Sequence, residues 1–142
     1  MSVSWRETAS DDCQADFDAL LDECIGIAAN NLVRNWGLDP TAIAVDARGG
    51  KSVVMAEDSH GLSSREELVN SLRSSASAIR SFAIVSRVSD DSADTLIEIH
   101  LEHRDIAIQM VFPYEIPDSA TFDLGTPRSA VADHRLFTRE YR

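Results

Sequence analysis

Residues 95–116 read TLIEIHLEHRDIAIQMVFPYEI, and their alternation predicts two long strands joined by a tight turn. Ile97, Ile99 and Leu101 alternate with polar residues at period two, which is typical of a strand with one face on the core and one in water. After the turn, apolar residues occupy the even-numbered positions 106, 108, 110 and 112. We therefore expect an antiparallel hairpin that forms the centre of a sheet.

The parity of these positions restricts the loop of the hairpin. Opposed residues share a face of the sheet, so the two core-facing rows match only if the loop has an even number of residues. A two-residue loop at 104–105 pairs Leu101 with Ile108, whereas a four-residue loop at 102–105 pairs Leu101 with Ile106. Two-residue loops prefer glycine, which is absent here, so we expect the longer loop.

Two amphipathic helices are predicted in the first half of the chain. Residues 11–36 carry apolar side chains at three- and four-residue spacing, begin in an acidic turn and are followed by Gly37. Residues 63–79 show a narrower apolar face. Further strands are predicted at 41–48 and 51–58, on either side of a Gly-Gly turn, and at 81–89.

These elements predict an α+β fold in the order α-β-β-α-β-β-β. We expect a two-layer sandwich, in which two main helices cover one face of a mostly antiparallel five-stranded sheet. The whole chain, 1–142, fits a single domain. Residues 1–10 are expected to form a loose N-terminus and residues 118–142 an irregular tail. Because Pro127 follows Thr126, a short helix is predicted at 128–137.

Composition and charge exclude several classes of function. The chain has a formal net charge of -11, which repels phosphate backbones and argues against nucleic-acid binding. No run of 18 apolar residues occurs, so we expect no membrane span and a cytoplasmic location. Cys13 and Cys24 lie about 16 Å apart if the segment is helical, too far for a disulfide, which requires Cα atoms within about 7 Å.

Charge is also distributed unevenly along the chain. Residues 7–23 contain seven acidic residues and no basic one, whereas residues 126–142 contain four arginines against two acidic residues. The two regions could attract each other within one chain or across a dimer, or both could be solvated and screened.

The candidate chemical site is the polar row of the first central strand, formed by Glu98, His100 and Glu102. A carboxylate–imidazole–carboxylate row could bind a transition metal or tune a histidine. A single strand spreads its side chains about 7 Å apart, however, so we expect the row to be a solvated sheet face. The sequence contains no complete catalytic motif, and we predict no catalytic residue, no cofactor and no metal site.

In element order, the predicted chain is similar to two groups of interaction proteins. One is the roadblock-like family, with a helix, a hairpin, a helix and three strands. The other is the acidic chaperones of bacterial secretion systems, a resemblance that implies a dimeric, noncatalytic protein. We expect an adaptor- or chaperone-like interaction module that binds another protein, itself, or both. The alternative is a small-molecule- or metal-binding domain, enzymatic or not, that uses the polar face around His100.

Overall fold

The computed structural model describes residues 10–34, 38, 40–55, 64–73, 76–89, 95–104, 106–118 and 120–137. The elements, in chain order, are helix α1 (Asp11–Val33), strands β1 (Thr41–Asp46) and β2 (Lys51–Met55), helix α2 (Ser64–Arg73), a 3-10 turn (Ala76–Ala78), and strands β3 (Ile79–Ser89), β4 (Thr95–His103), β5 (Ala107–Asp118), β6 (Thr121–Leu124) and β7 (Arg128–Val131). The α+β class is confirmed. The loose N-terminus expected at 1–10 lies outside the described residues, apart from Ser10.

The strands form one antiparallel sheet in the order β2-β1-β3-β4-β5-β6, with β7 also paired to β5. The expected antiparallel pairing is confirmed, but the described residues form seven strands rather than five. The β1–β2 hairpin turns at Gly49, whose φ of 84° lies in the left-handed region that glycine adopts without strain. The carboxylate of Asp46 stabilises this turn by accepting the backbone N–H groups of Arg48 and Gly50.

The central hairpin has the register of the shorter loop. Leu101 lies opposite Ile108, Ile99 lies opposite Met110, and the N–H of His103 donates to the carbonyl of Ile106. The prediction of a four-residue loop is therefore wrong. The shorter connection contains no glycine but adds the pair Glu102–Ala107 to the ladder. Parity allowed both loops, and the glycine preference is only a statistical tendency.

Helix α1 covers one face of the sheet. Its N-terminus is capped by Ser10, whose side chain accepts the backbone N–H of Cys13. The apolar side of the helix packs against alternate residues of the central strands and forms the larger core cluster. The fully buried members on the helix are Cys13, Phe17, Leu20, Cys24 and Ala28.

Helix α2 covers the opposite face, so the expected two-layer arrangement with both helices on one side is wrong. Leu68, Val69 and Leu72 form a second core cluster with the face of β1 and β3 that points away from α1. Residues 41–45 and 81–85 lack the alternation of polar and apolar side chains that a half-exposed strand shows. Such a strand is buried on both faces, which is consistent with a helix on each side of the sheet.

Residues 118–137 are also more ordered than expected. Strands β6 and β7 extend along the same edge of β5, and the N–H of Gly125 donates to the carbonyl of Pro113 between them. Tyr114 pairs with Leu124 and Val111 with Arg128, so two residues of β5 face the three residues 125–127, which makes a β-bulge. The predicted helix at 128–137 is therefore wrong: Pro127 lies in a bulge of an edge strand, where its missing N–H is tolerated, and not at a helix start.

Candidate functional site

The polar row of β4 is mostly buried, contrary to the expected solvated face. Glu98 is half-buried, but His100 is 3% exposed and Glu102 is fully buried. Residues 134–137 cross this face after β7, and Leu136 and Phe137 join the second core cluster beside α2. The tail of the chain therefore covers a strand face that alternation alone assigns to water.

The carboxylate of Glu102 is satisfied by four donors. Its Oε1 atom accepts the backbone N–H of Arg135 over 2.7 Å and Nε2 of His100 over 2.7 Å. Its Oε2 atom accepts the backbone N–H groups of Leu136 over 2.9 Å and Phe137 over 2.8 Å. We call this arrangement the Glu102 site. Its geometry allows a buried negative charge, because every oxygen has strong donors.

Two opposing effects act on the pKa of Glu102. Burial raises this pKa, because a charged carboxylate loses its hydration. The hydrogen bonds from His100 and from the backbone amides of Arg135 and Phe137 favour the ionised form. Together they outweigh burial, and the pKa of Glu102 lies below its ordinary value.

His100 is held between the carboxylate and an aromatic ring. Because an ionised carboxylate only accepts hydrogen bonds, Nε2 of His100 is the donor to Glu102; the His100 ring centroid lies 5.8 Å from that of Phe82. Its Nδ1 atom is buried and has no hydrogen-bond partner among the described residues.

Three further contacts hold residues 134–137, the covering segment, in place. His134 donates from Nε2 to the carbonyl of His103 over 2.8 Å. The guanidinium carbon of Arg104 lies 4.6 Å from the centroid of the Phe137 ring, a cation–π geometry. The rings of Phe82 and Phe137 meet edge to face at 5.9 Å. The segment is thus joined to β3 and β4 by polar and aromatic contacts as well as by the Glu102 site.

The three residues singled out in the sequence do not converge on one point. Among the described residues, no three His, Cys, Asp or Glu side chains are grouped so as to hold a metal ion. Both oxygens of Glu102 are already engaged by the protein. The geometry of this row is that of an anchor for a polypeptide segment.

A surface pocket of about 460 Å³ lies beside the covering segment and is lined by Val69, Asn70, Arg73 and Arg135. Arg73 donates from Nη1 to the Asn70 side-chain oxygen over 3.0 Å. The Glu102 carboxylate holds the backbone N–H of Arg135. This contact fixes the position of the Arg135 backbone at the edge of the pocket. Sequence reasoning missed this pocket because its two arginines are far apart in the chain; the excess of arginine after residue 126 was the only signal.

Two further ion pairs join helix α1 to the sheet. Asp16 accepts Arg80 through both oxygens, over 2.8 and 2.7 Å, and also accepts the Ser81 hydroxyl, which joins α1 to β3. Lys51 pairs with Glu23 over 2.6 Å. The ion pairs of the described residues include none between α1 and the C-terminal arginines, so the intrachain attraction between the acidic and basic regions is not seen there.

Cys13 and Cys24 are both buried, and neither is in a disulfide within the described part of the chain. Burial, assisted by the nearby charge of Glu23, raises the pKa of Cys24 to about 12. A thiol with so high a pKa is a poor nucleophile at neutral pH.

No helix in the described ranges combines the length and the apolar character needed to cross a membrane. The chain matches no protein-family model, no curated protein and no solved structure at a significant level.

Proposed function

We propose that this protein is a cytoplasmic, noncatalytic interaction module that forms a homodimer through the outer edge of β2. The observation that carries the proposal is the contrast between the two edges of the sheet. One edge offers a regular, exposed strand, and the other is interrupted.

Strand β2 is the terminal strand on its side of the sheet as described. The N–H of Asp46 donates to the carbonyl of Gly50, and hydrogen-bonded and non-hydrogen-bonded pairs alternate along an antiparallel ladder. Lys51 and Val53 therefore direct their backbone N–H and C=O groups away from β1. Val53 is also 58% exposed, so the edge presents an apolar side chain beside backbone groups that pair with no other strand among the described residues.

The opposite edge is a poorer template for strand pairing. The bulge at Thr126 and Pro127 breaks the regular spacing of backbone groups between β6 and β7, and proline supplies no N–H. Gly125 also packs against Pro113, where an added Cβ would lie 2.6 Å from the proline Cγ atom. Such features protect natural edge strands from association.

A second copy of the chain is the occupant that fits the β2 edge. Two β2 strands related by a twofold axis pair antiparallel, and each satisfies the outward groups of the other. The pairing also buries Val53 of both copies. Because each chain carries a net charge of -11, the copies repel each other, and we expect salt to strengthen the dimer by screening.

The test is the mass in solution of the full-length protein and two variants, measured by light scattering over a range of concentration and salt. We expect a dimer for the wild type, a monomer for Val53→Lys and a dimer for the control Val131→Lys. Val131 is 67% exposed on β7, so the control makes the same change at the interrupted edge. Circular dichroism checks that each variant is folded. A monomeric wild type, or a Val53→Lys protein that dimerises as well as the control, contradicts the proposal.

The second candidate function is a metal- or small-molecule-binding domain around His100. One observation favours it: the buried Nδ1 atom of His100 has no partner. The occupied oxygens of Glu102 weigh against it, since a ligand or ion would have to displace the segment at 135–137. Metal analysis of the purified wild type and of His100→Ala would support it only if metal bound to the wild type is absent from the variant.

A further inference from the structure

We propose that the pocket lined by Val69, Asn70, Arg73 and Arg135 binds an oxyanion, a carboxylate or phosphate group carried by a small organic ligand. This site is on the α2 face of the sheet and does not depend on dimer formation at the β2 edge.

The charge of the pocket is opposite to that of the protein as a whole. The chain has 24 acidic residues against 13 basic ones, yet the described lining contains two guanidinium groups and no carboxylate. The ion pairs of the described residues join Lys51 to Glu23, Arg80 to Asp16, and His100 to Glu102. Neither Arg73 nor Arg135 is therefore neutralised by a carboxylate in those parts of the chain.

Asn70 positions the guanidinium of Arg73, and the Glu102 site fixes the backbone from which the Arg135 side chain extends. Asn70 lies one turn before Arg73 on α2 and holds the Nη1 atom, which leaves the other guanidinium donors available. Arg135 has its backbone N–H fixed at 2.7 Å by the buried carboxylate of Glu102. Preorganisation of this kind lowers the entropy cost of binding.

The chemistry of the lining selects an oxyanion. A guanidinium group is planar, remains charged and presents several donors that match a carboxylate or phosphate. The volume of about 460 Å³ can hold a small organic anion at the surface, where Asn70, Arg73 and Arg135 are all exposed. Val69 supplies an apolar wall beside the charged groups, as is common in such sites.

A purely structural role is the competing explanation for Arg73. This residue is in the last turn of α2, where a positive charge offsets the negative end of the helix dipole. That role predicts a loss of stability in a variant but no change in ligand binding. Stability and binding must therefore be measured on the same proteins.

The experiment is a calorimetric titration of the full-length protein with inorganic phosphate and, separately, with citrate. The variants are Arg73→Gln and Arg135→Gln, and Arg128→Gln is the control because it makes the same charge change at an exposed position on β7. We expect saturable binding that each pocket variant weakens by about tenfold or more and that the control leaves within about twofold. Binding of phosphate alone assigns a phosphate ligand, and binding of citrate alone assigns a carboxylate.

Two results would overturn the proposal. The first is no saturable binding of either anion to the folded wild type. The second is binding that falls equally in Arg128→Gln, which would indicate attraction by overall charge. Backbone amide shifts on titration give an independent readout: changes centred on residues 69–73 and 135 are expected, and changes confined elsewhere contradict the site.

Discussion

The carboxylate of Glu102 accepts the backbone N–H of Phe137 over 2.8 Å, across a sequence separation of 35 residues. This bond joins the middle of the sheet to the segment that covers it. The same carboxylate holds Arg135, whose side chain lines the arginine pocket. One buried anion therefore links the stability of the second core to the geometry of the pocket.

Replacement of Glu102 by glutamine should strongly destabilise the protein. Glutamine keeps the volume but replaces one acceptor oxygen with an NH₂ group that faces backbone donors. We expect the free energy of unfolding to fall by about 2–4 kcal/mol, the range for removing one member of a buried charged network. Urea denaturation monitored by circular dichroism measures the change.

The control for this variant is Glu115→Gln on β5. Glu115 is exposed, and its replacement should change the free energy of unfolding by less than about 0.5 kcal/mol. Equal stabilities of the Glu102 and Glu115 variants would show that the four hydrogen bonds at Glu102 do not hold the segment in solution.

Stability should depend on pH through Glu102. Its folded pKa is below the ordinary value of 4.5, so its stabilising contribution is complete above pH 4.5 and is lost as pH falls through the folded pKa. The difference in unfolding free energy between wild type and Glu102→Gln should therefore narrow below pH 4.5. Asp46 and Asp118, whose pKa values are also lowered by turn hydrogen bonds, are present in both proteins, and their contributions cancel. A difference that stays constant down to pH 3 would contradict this assignment.

The central hairpin could be predicted from the sequence because its signal is local. The alternation of Ile97, Ile99 and Leu101 fixed the core face, and parity reduced the loop to two choices. The side of the sheet on which α2 packs could not be predicted from its own pattern, because an amphipathic helix can pack on either side. The information lies in β1 and β3, whose side chains are apolar on both faces.

The Glu102 site could not be predicted because its donors are backbone groups. The N–H groups of Arg135, Leu136 and Phe137 carry no side-chain pattern, and the residues that bring them to β4 are distant in the chain. A glutamate on a strand is usually solvated. Only the position of the tail turns this residue into a buried anchor, and the bulge at Pro127 that directs the tail resembles a helix start.

The contact between α1 and β3 should depend on Asp16. This carboxylate is 7% exposed and accepts Arg80 through both oxygens, which raises the pKa of Arg80. Asp16→Asn should lower the free energy of unfolding by about 1–2 kcal/mol, less than for a fully buried pair because Arg80 is partly exposed. Asp22→Asn, at an exposed site on the same helix, is the control in thermal denaturation. Equal melting temperatures for the two variants would exclude a stabilising role for the pair.

Two glycine-to-alanine substitutions should have opposite effects. At Gly125 a Cβ would lie 2.6 Å from Cγ and 3.2 Å from the carbonyl oxygen of Pro113, so we expect a loss of about 1–3 kcal/mol as the β6–β7 edge shifts. At Gly26, in the middle of α1, the added Cβ meets no described atom within 4 Å apart from its chain neighbours and the adjacent helix backbone. Alanine there should raise the free energy of unfolding by about 0.5–1 kcal/mol, because it restricts the unfolded chain and favours the helix. Urea denaturation of each variant measures its change in the free energy of unfolding. A destabilised Gly26→Ala protein, or a Gly125→Ala protein as stable as the wild type, would contradict the described packing.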